Sequence, residues 1–346
     1  MKYRNVSKDS DLLSILEHQD KVTAKAKGIN KLSGVIDWEV FRFELESILG
    51  YNTRDPHQGG RLPFDPVFMF KILVLQKSHN LSDEQTQEQI ADRFSFMHFL
   101  DLRPGDSIPD CNTIWDFKES LEKQGRNGTK RLFEQFDQLL DSYGVIGREG
   151  SIVDASFVDA PGQRNSRAEN EQIKKGEPPE AFSNNSAKGR QKDCDARWAK
   201  KNNETHYGYK NHAKVDAKSK LITGYETTAA SVHDSQTFTQ LVNQEDQAVF
   251  ADSAYCSQAN EDYVLKECGS QEFIMQKATA GQKLSEQDKV SNHLRSRIRV
   301  RVEHVFGRMS QMGLDRLGCI GLKRAHQHNG LSNLVYNMDR FAFLCR

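Results

Sequence analysis

Residues 151–158 have the sequence SIVDASFV, a short run rich in β-branched and apolar side chains. Gly150 precedes the run and Pro161 follows shortly after it, so its composition and its borders predict a β-strand. Asp154 lies in the middle of this strand. A carboxylate inside a core strand is costly unless it is paired or bound to a metal ion. Asp154 is therefore the first candidate site residue.

The sequence after this strand predicts further strands that alternate with helices. We expect a hairpin at 207–216 and 221–228, helices at 233–243 and 258–268, strands at 247–252 and 272–276, a long helix at 289–311 and a last helix at 329–344. This order predicts an α/β fold, with helices on the faces of a mixed sheet and the strand order of a ribonuclease-H-like core.

Residues 1–145 predict an all-helical domain before the sheet. Its helices are expected at 38–49, from Pro66, from Ser82, at 110–121 and at 129–143. The second predicted domain covers 146–346 and contains a polar insertion at 160–204. The helices at 80–99 and 110–121 suggest a helix-turn-helix, and packing or dimerisation is the alternative.

The composition excludes several classes of protein. Of the 346 residues, 37% are hydrophobic and 28% are charged, enough to form cores in a polar chain. Charged residues interrupt every apolar stretch before it reaches membrane-spanning length, and the first 20 residues have no apolar core of a signal peptide. Six cysteines without a CxxC spacing argue against structural zinc and a disulfide framework, and they fit a reducing cytosol.

The formal net charge is zero, but the charges are unevenly distributed. Residues 188–220 contain ten Lys or Arg against four Asp or Glu, and residues 289–324 contain nine against two. Residues 225–272 contain nine acidic residues and one Lys. Two basic segments around an acidic one suit a protein that binds phosphate near a carboxylate metal site. The alternative is the ordinary patchiness of a charged surface.

Two more carboxylates lie where this fold would bring them near Asp154. Asp252 ends a predicted strand, where open α/β sheets bind ligands, and Glu303 lies on the long helix. Carboxylate oxygens suit Mg²⁺, and two such ions roughly 3.5–4 Å apart can activate an attacking oxygen and stabilise a leaving one. As alternatives, Asp252 could form a turn and Glu303 could be solvated.

The chain contains short strings of sequence in a specific order. They are GRLP at 60–63, LSD at 81–83, IPDCNTI at 108–114, IVDASFVDAP at 152–161, DARW at 195–198, HYGYKNH at 206–212, TTAASVHD at 227–234, ADSAY at 251–255 and RVRVEHVFG at 299–307. The set resembles DDE-type transposases of bacterial insertion sequences, specifically the insertion sequence five family.

This resemblance implies that Asp154, Asp252 and Glu303 are the catalytic acids and bind two Mg²⁺ ions, with Mn²⁺ as a substitute. It implies cleavage of double-stranded DNA at the terminal inverted repeats of the element, followed by strand transfer to target DNA. A homodimer on DNA is expected, in the bacterial cytoplasm at the nucleoid and away from membranes. A nuclease that does not join DNA and a non-catalytic DNA-binding derivative are the alternatives.

Related transposases often have a Tyr, Arg, Glu, Lys series on the last helix of the core. Arg299 stands at the Arg position, four residues before Glu303, whereas Ser296 and Ser310 replace the Tyr and the Lys. A set of cationic, aromatic and histidine side chains is expected to contact DNA, with solvated or packing roles as the alternative. The set comprises Arg299, Arg295, Lys210, His212, Arg197, Trp198, Lys200 and Lys201.

Overall fold

The computed structural model describes residues 17, 21, 28–53, 59, 62–184, 186–201, 203–278 and 283–345. Gly60 and Arg61, which begin the first of the quoted strings, lie outside the described residues. The chain divides into two compact units, the first ending at Leu121 and the second extending from Glu122 to Leu344. Within the described ranges, no helix has the length and apolar character needed to cross a membrane.

The first unit is helical where it is described. The predicted helix start at Ser82 is confirmed as a capping box: the Ser82 Oγ accepts from the Gln85 amide, and the Gln85 side chain accepts from the Ser82 amide. Pro66 begins another helix, capped by the Asp65 carboxylate. The α-helices are α1 (Asn30–Ser33), α2 (Arg42–Leu49), α3 (Pro66–Ser78), α4 (Asp83–Asp92), α5 (Phe94–Phe99) and α6 (Cys111–Leu121).

The second unit contains a six-stranded mixed sheet, which confirms the predicted α/β class. The strands are β1 (Ser151–Asp159), β2 (Arg197–Lys201), β3 (Glu204–Asp216), β4 (Ile222–Ala229), β5 (Ala248–Ala251) and β6 (Gln271–Ile274). The central strand is β1, which pairs antiparallel with β3 and parallel with β5. Strand β6 pairs parallel with β5 and extends the parallel part of the sheet.

Helices of the second unit follow the predicted order, with some differences in length. The predicted helix at 233–243 is reduced to a 3₁₀ turn and one short α-helix, and the helix at 258–268 ends in a π-helical turn, Tyr263–Glu267. The α-helices are α7 (Gly128–Ser142), α8 (Arg167–Lys174), α9 (Glu180–Asn184), α10 (Ser186–Arg190), α11 (Phe238–Leu241), α12 (Gln258–Asp262), α13 (Glu286–Gln311) and α14 (Leu322–Leu344).

Helix α7 belongs to the second unit, so the first compact unit ends at Leu121 and not near residue 145 as the sequence predicts. The ring of Phe133 on α7 meets the ring of Tyr225 on β4 edge-on, with centroids 4.9 Å apart. Gly330 of α14 comes so close to Thr129 of α7 that a Cβ there would lie 2.7 Å from the Thr129 Oγ1. The apolar periodicity of α7 predicts a buried face, but it does not specify which core buries that face.

The insertion at 160–204 contains regular secondary structure. Its composition predicts a long insertion or an ordered loop, and the structure contains α8, α9, α10 and β2. Strand β2 pairs antiparallel with the first part of β3, from Arg197 opposite Gly208 to Lys201 opposite Glu204. The end of the insertion is therefore part of the sheet.

Helix α14 is held on the sheet by buried amides. Asn333 and Asn211 of β3 exchange two side-chain hydrogen bonds, of 2.7 and 3.1 Å. One turn further on, the Asn337 side chain bonds both the amide and the carbonyl of Ile222, at 2.9 and 2.7 Å. Because buried amides must be paired, these contacts specify how far along the sheet the helix lies.

We predict that Asn333→Leu lowers the free energy of unfolding by about 1–3 kcal/mol, because it leaves the Asn211 amide buried and unpaired. The double variant Asn211→Leu, Asn333→Leu should recover much of that loss. Urea unfolding of both variants, with Gln287→Leu on the exposed face of α13 as control, measures the coupling. If the double variant loses clearly more free energy of unfolding than Asn333→Leu alone, the two side chains do not act as a pair.

Candidate active site

Two of the three predicted carboxylates lie where the pairing between the neighbouring strands β1 and β5 ends. The parallel register pairs Val153 of β1 with Ala251 of β5. Asp154 directly follows Val153, and Asp252 directly follows Ala251. Neighbouring strands are about 4.8 Å apart, so the sheet itself brings the two aspartates close together. Asp252 also caps the 3₁₀ turn Ser253–Tyr255, because its Oδ1 accepts from the Ser253 amide.

The third carboxylate, Glu303, is linked to Asp154 through Arg299. Both Glu303 and Arg299 lie on α13, four residues apart. The Arg299 Nη1 donates to the Asp154 Oδ2 at 2.7 Å, and its Nη2 donates to the Glu303 Oε1 at 3.3 Å. One guanidinium thus contacts two of the predicted acids, whose side chains come from a strand and from the helix packed on it.

Burial raises the pKa of Asp154 above its usual value, and the nearby charge of Asp252 raises it further. The Ala155 amide and the positive charges of Arg299 and Lys201 act in the opposite direction. Asp154 is therefore a desolvated carboxylate that needs positive charge close to its oxygen atoms.

The donor set fits a divalent cation such as Mg²⁺, which prefers a few carboxylate oxygens and open positions for water and phosphate. Asp154, Asp252 and Glu303 are the residues that would hold it. Within the described ranges, however, no three His, Cys, Asp or Glu side chains are already gathered closely enough to form a metal site. The Arg299 guanidinium contacts one oxygen atom of Asp154 and one of Glu303.

Tyr255 is a further candidate, whose position in the sequence suggests that it orients a metal-bound water or packs in the core. Its side chain is fully buried, and its hydroxyl has no hydrogen-bond partner among the described residues. Burial and the charges of Asp154, Asp234 and Asp252 raise the pKa of this hydroxyl well above its usual value. The signal in the sequence was only its position, three residues after Asp252.

Lys210 and His212 lie on the other face of the sheet from Asp154. In the antiparallel register His212 is opposite Ala155, whereas Asp154 is opposite Ala213. Side chains at opposed positions share a face, and faces alternate along a strand, so the two groups are separated by the sheet. The expected contact of Lys210 and His212 with the scissile phosphate does not fit this arrangement.

Lys210 and His212 each have a polar partner on that other face. The Lys210 Nζ binds the Asp234 Oδ1 at 2.7 Å, and the His212 Nε2 lies 2.8 Å from the Thr228 Oγ1. His212 has no exposed surface, and burial lowers its pKa to about 4 although the Asp234 carboxylate acts in the opposite direction. His212 is therefore a neutral core residue without a surface for DNA.

Two of the predicted arginines bind backbone carbonyl groups. Arg197 donates to the carbonyls of Cys194, Ala196 and Ile173, which ties β2 to the helices of the insertion. Arg295 donates to the carbonyl of Ile274 at the end of β6. Their charge density suggested phosphate contacts, but these guanidinium groups stabilise the fold.

Three predicted DNA contacts remain on the surface. Trp198 is 57% exposed, and Lys200 and Lys201 on the same strand are also exposed. They line a cavity of about 430 Å³ together with Phe157 of β1. Aromatic and cationic side chains around an open cavity are suited to bases and phosphates.

Ser296, Ser310 and Lys118 all have hydrogen-bond or ionic partners. Ser296 donates to the carbonyl of His293, and Ser310 donates to Asp315 at 2.6 Å, so both serines have partners near α13. In the first unit, Lys118 of α6 binds Asp83 of α4. The ammonium group of Lys118 is therefore paired within the unit.

Comparison with known proteins gives a consistent pair of matches. A family model described as "Transposase DDE domain" matches residues 146–338, which include all three carboxylates, and one described as "Transposase domain (DUF772)" matches residues 16–120. Among solved structures, the chain is similar to a piggyBac transposase in a synaptic complex with hairpin DNA. That similarity has a TM-score of 0.47 and 9% identity, and it covers 89% of this chain and 74% of the other.

We predict that His212 makes the fold less stable as the pH falls from about 6.5 towards 4. The unfolded chain binds one more proton than the fold in this range, so the free energy of unfolding decreases by about 1.4 kcal/mol per pH unit. His212→Gln should lack this component, whereas His293→Gln, at an exposed position, should retain it. Urea unfolding between pH 4 and 7 tests this, and identical pH dependence of wild type and His212→Gln would contradict it.

Proposed function

The chain belongs to the transposases with a DDE domain, and on that premise we propose that it cuts DNA at the ends of an insertion sequence and joins them to target DNA. The observation that carries the proposal is the arrangement of Asp154 and Asp252 on adjacent strands, with Glu303 linked to Asp154 by Arg299. The strand order around them supports a ribonuclease-H-like core.

Asp154, Asp252 and Glu303 would hold two Mg²⁺ or Mn²⁺ ions. When bound, such ions would activate the attacking oxygen and stabilise the leaving oxygen of a phosphodiester. The sheet orients the two aspartates, since β1 and β5 are directly hydrogen-bonded, and Glu303 extends from α13, where Arg299 links it to Asp154. The side chains are thus positioned by rigid elements, which favours in-line attack.

The cations near the acids are suited to the DNA backbone. Arg299 lies one turn before Glu303, and Lys200 and Lys201 extend from the edge strand β2. Arginine and lysine bind phosphates without reading the sequence, so these residues would position the cleaved strand. Trp198, exposed beside them, would stack on an unpaired base.

Cleavage would free a 3′-hydroxyl that attacks target DNA in the same site. No covalent bond between protein and DNA is required, because the carboxylate site serves water and the 3′-hydroxyl alike. Two element ends must be handled together, so we propose a homodimer on DNA, acting at the bacterial nucleoid in the cytoplasm. The insertion sequence five family is the proposed membership, from the strings quoted above.

We predict that Asp154→Asn, Asp252→Asn and Glu303→Gln each reduce Mg²⁺-dependent cleavage of end DNA at least about 10³-fold, because each removes one charged metal ligand. DNA binding should remain near the wild-type level. Gel assays with labelled end DNA measure both quantities, and joined products distinguish a transposase from a nuclease that only cuts.

Glu286→Gln is the matched control, because this exposed carboxylate at the start of the same helix contacts only Lys289 among the described residues. It should cleave as the wild type does. Near wild-type cleavage by any of the three site variants would remove that residue from the active site.

We predict that Lys200→Ala, Lys201→Ala weakens binding to end DNA and to random DNA alike. Each lost phosphate contact should reduce the slope of log affinity against log salt by about 0.9. Arg197 is left unchanged because its guanidinium binds carbonyl groups. The control Lys218→Ala, Lys266→Ala removes the same charge from exposed positions. A salt titration that gives the wild-type slope for the first variant would exclude β2 from the DNA interface.

A further inference from the structure

The guanidinium of Arg299 occupies oxygen atoms that the proposed function assigns to metal ions. It contacts the Asp154 Oδ2 and the Glu303 Oε1, and its side chain is only 20% exposed. Without this cation, the desolvated carboxylate of Asp154 would lack its direct positive partner. Arg299 therefore supplies, in the protein as described, the charge that a bound cation would supply.

The pairing of Arg299 is incomplete. Its Nε is buried and has no hydrogen-bond partner among the described residues, and its contact with Glu303 is long. Glu303 itself is 57% exposed. By contrast, Arg197 directs both terminal nitrogens at carbonyl groups within 3.1 Å. Arg299 thus makes fewer hydrogen bonds than Arg197, and its partners are carboxylates that a metal ion can also bind.

We propose that Arg299 is a positioning residue that pairs with Asp154 and Glu303 in the metal-free protein and leaves them when metal ions bind. The inference rests on the proposed function and adds an exchange of partners to it. Guanidinium and metal ion compete for the same oxygens, so binding of one releases the other. The released guanidinium, still one turn from Glu303, is then available for a DNA phosphate.

The exchange predicts that Arg299→Gln binds Mn²⁺ about tenfold more tightly than the wild type, because one charged competitor for the carboxylates is lost. Without metal, the same variant should have a lower melting temperature than the wild type. When Mn²⁺ is added, its melting temperature should rise by more than that of the wild type. Arg299→Lys should lie between them, since lysine keeps the charge but cannot bind two carboxylates with a planar fork. Calorimetric titration of the full chain with Mn²⁺, without DNA, and thermal unfolding provide these values.

Arg301→Gln is the matched control. It removes the same charge from the same helix, but its guanidinium donates to the carbonyl of Ala217 and not to the acids. Mn²⁺ affinity should change little in this variant. If Arg299→Gln binds Mn²⁺ no more tightly than Arg301→Gln, the proposed exchange is wrong. If Arg299→Gln does not fold, the same comparison with Arg299→Lys decides.

Asp154→Asn separates this inference from the function on which it rests. If Asp154→Asn loses Mn²⁺ binding and Arg299→Gln binds Mn²⁺ as the wild type does, the exchange is wrong and the proposed metal site stands. Equal Mn²⁺ binding by wild type and Asp154→Asn would instead contradict the metal site itself, and with it the proposed function.

Discussion

A carboxylate placed inside a sheet must be matched by positive charge, and Asp154 imposes this requirement on the second unit. Its partner comes from α13, so the helix must pack where Arg299 reaches Asp154 in β1. The same guanidinium contacts Glu303, one turn further along α13. The pairing that allows Asp154 to be buried thus also links two of the three candidate acids.

The parts of the fold that the sequence predicts are those with a local signal. The strand around Asp154, the capping box at Ser82 and the long helix before Glu303 each follow from spacing within one segment. The end of the first unit at Leu121 and the pairing of β2 with β3 depend on contacts between distant residues. The periodicity of apolar residues indicates that one face of a helix or strand is buried, but it does not indicate which element buries that face. The end of the first unit and the pairing of β2 with β3 were therefore not predictable from the sequence.

The same limit explains the mixed outcome for the predicted DNA contacts. The residue type of a lysine or arginine does not indicate whether its side chain contacts a phosphate, a carboxylate or a carbonyl group. Arg197 and Arg295 bind carbonyl groups, and His212 is enclosed in the core. The exposed Lys200 and Lys201 keep their proposed role. Local charge density therefore located the basic segments, but only three-dimensional contacts separate the cations that stabilise the fold from those available to DNA.

Strand β3, with thirteen residues, is longer than either strand that covers its outer edge. Strand β2 pairs with Glu204–Gly208, and β4 pairs with the part from Tyr209 onward. If β2 were absent, the first part of this edge would present free amide and carbonyl groups, onto which the strand of another molecule could add. The insertion therefore covers the first part of the β3 edge and makes β2 the outer strand there, so its sequence can vary only as far as β2 continues to pair with β3.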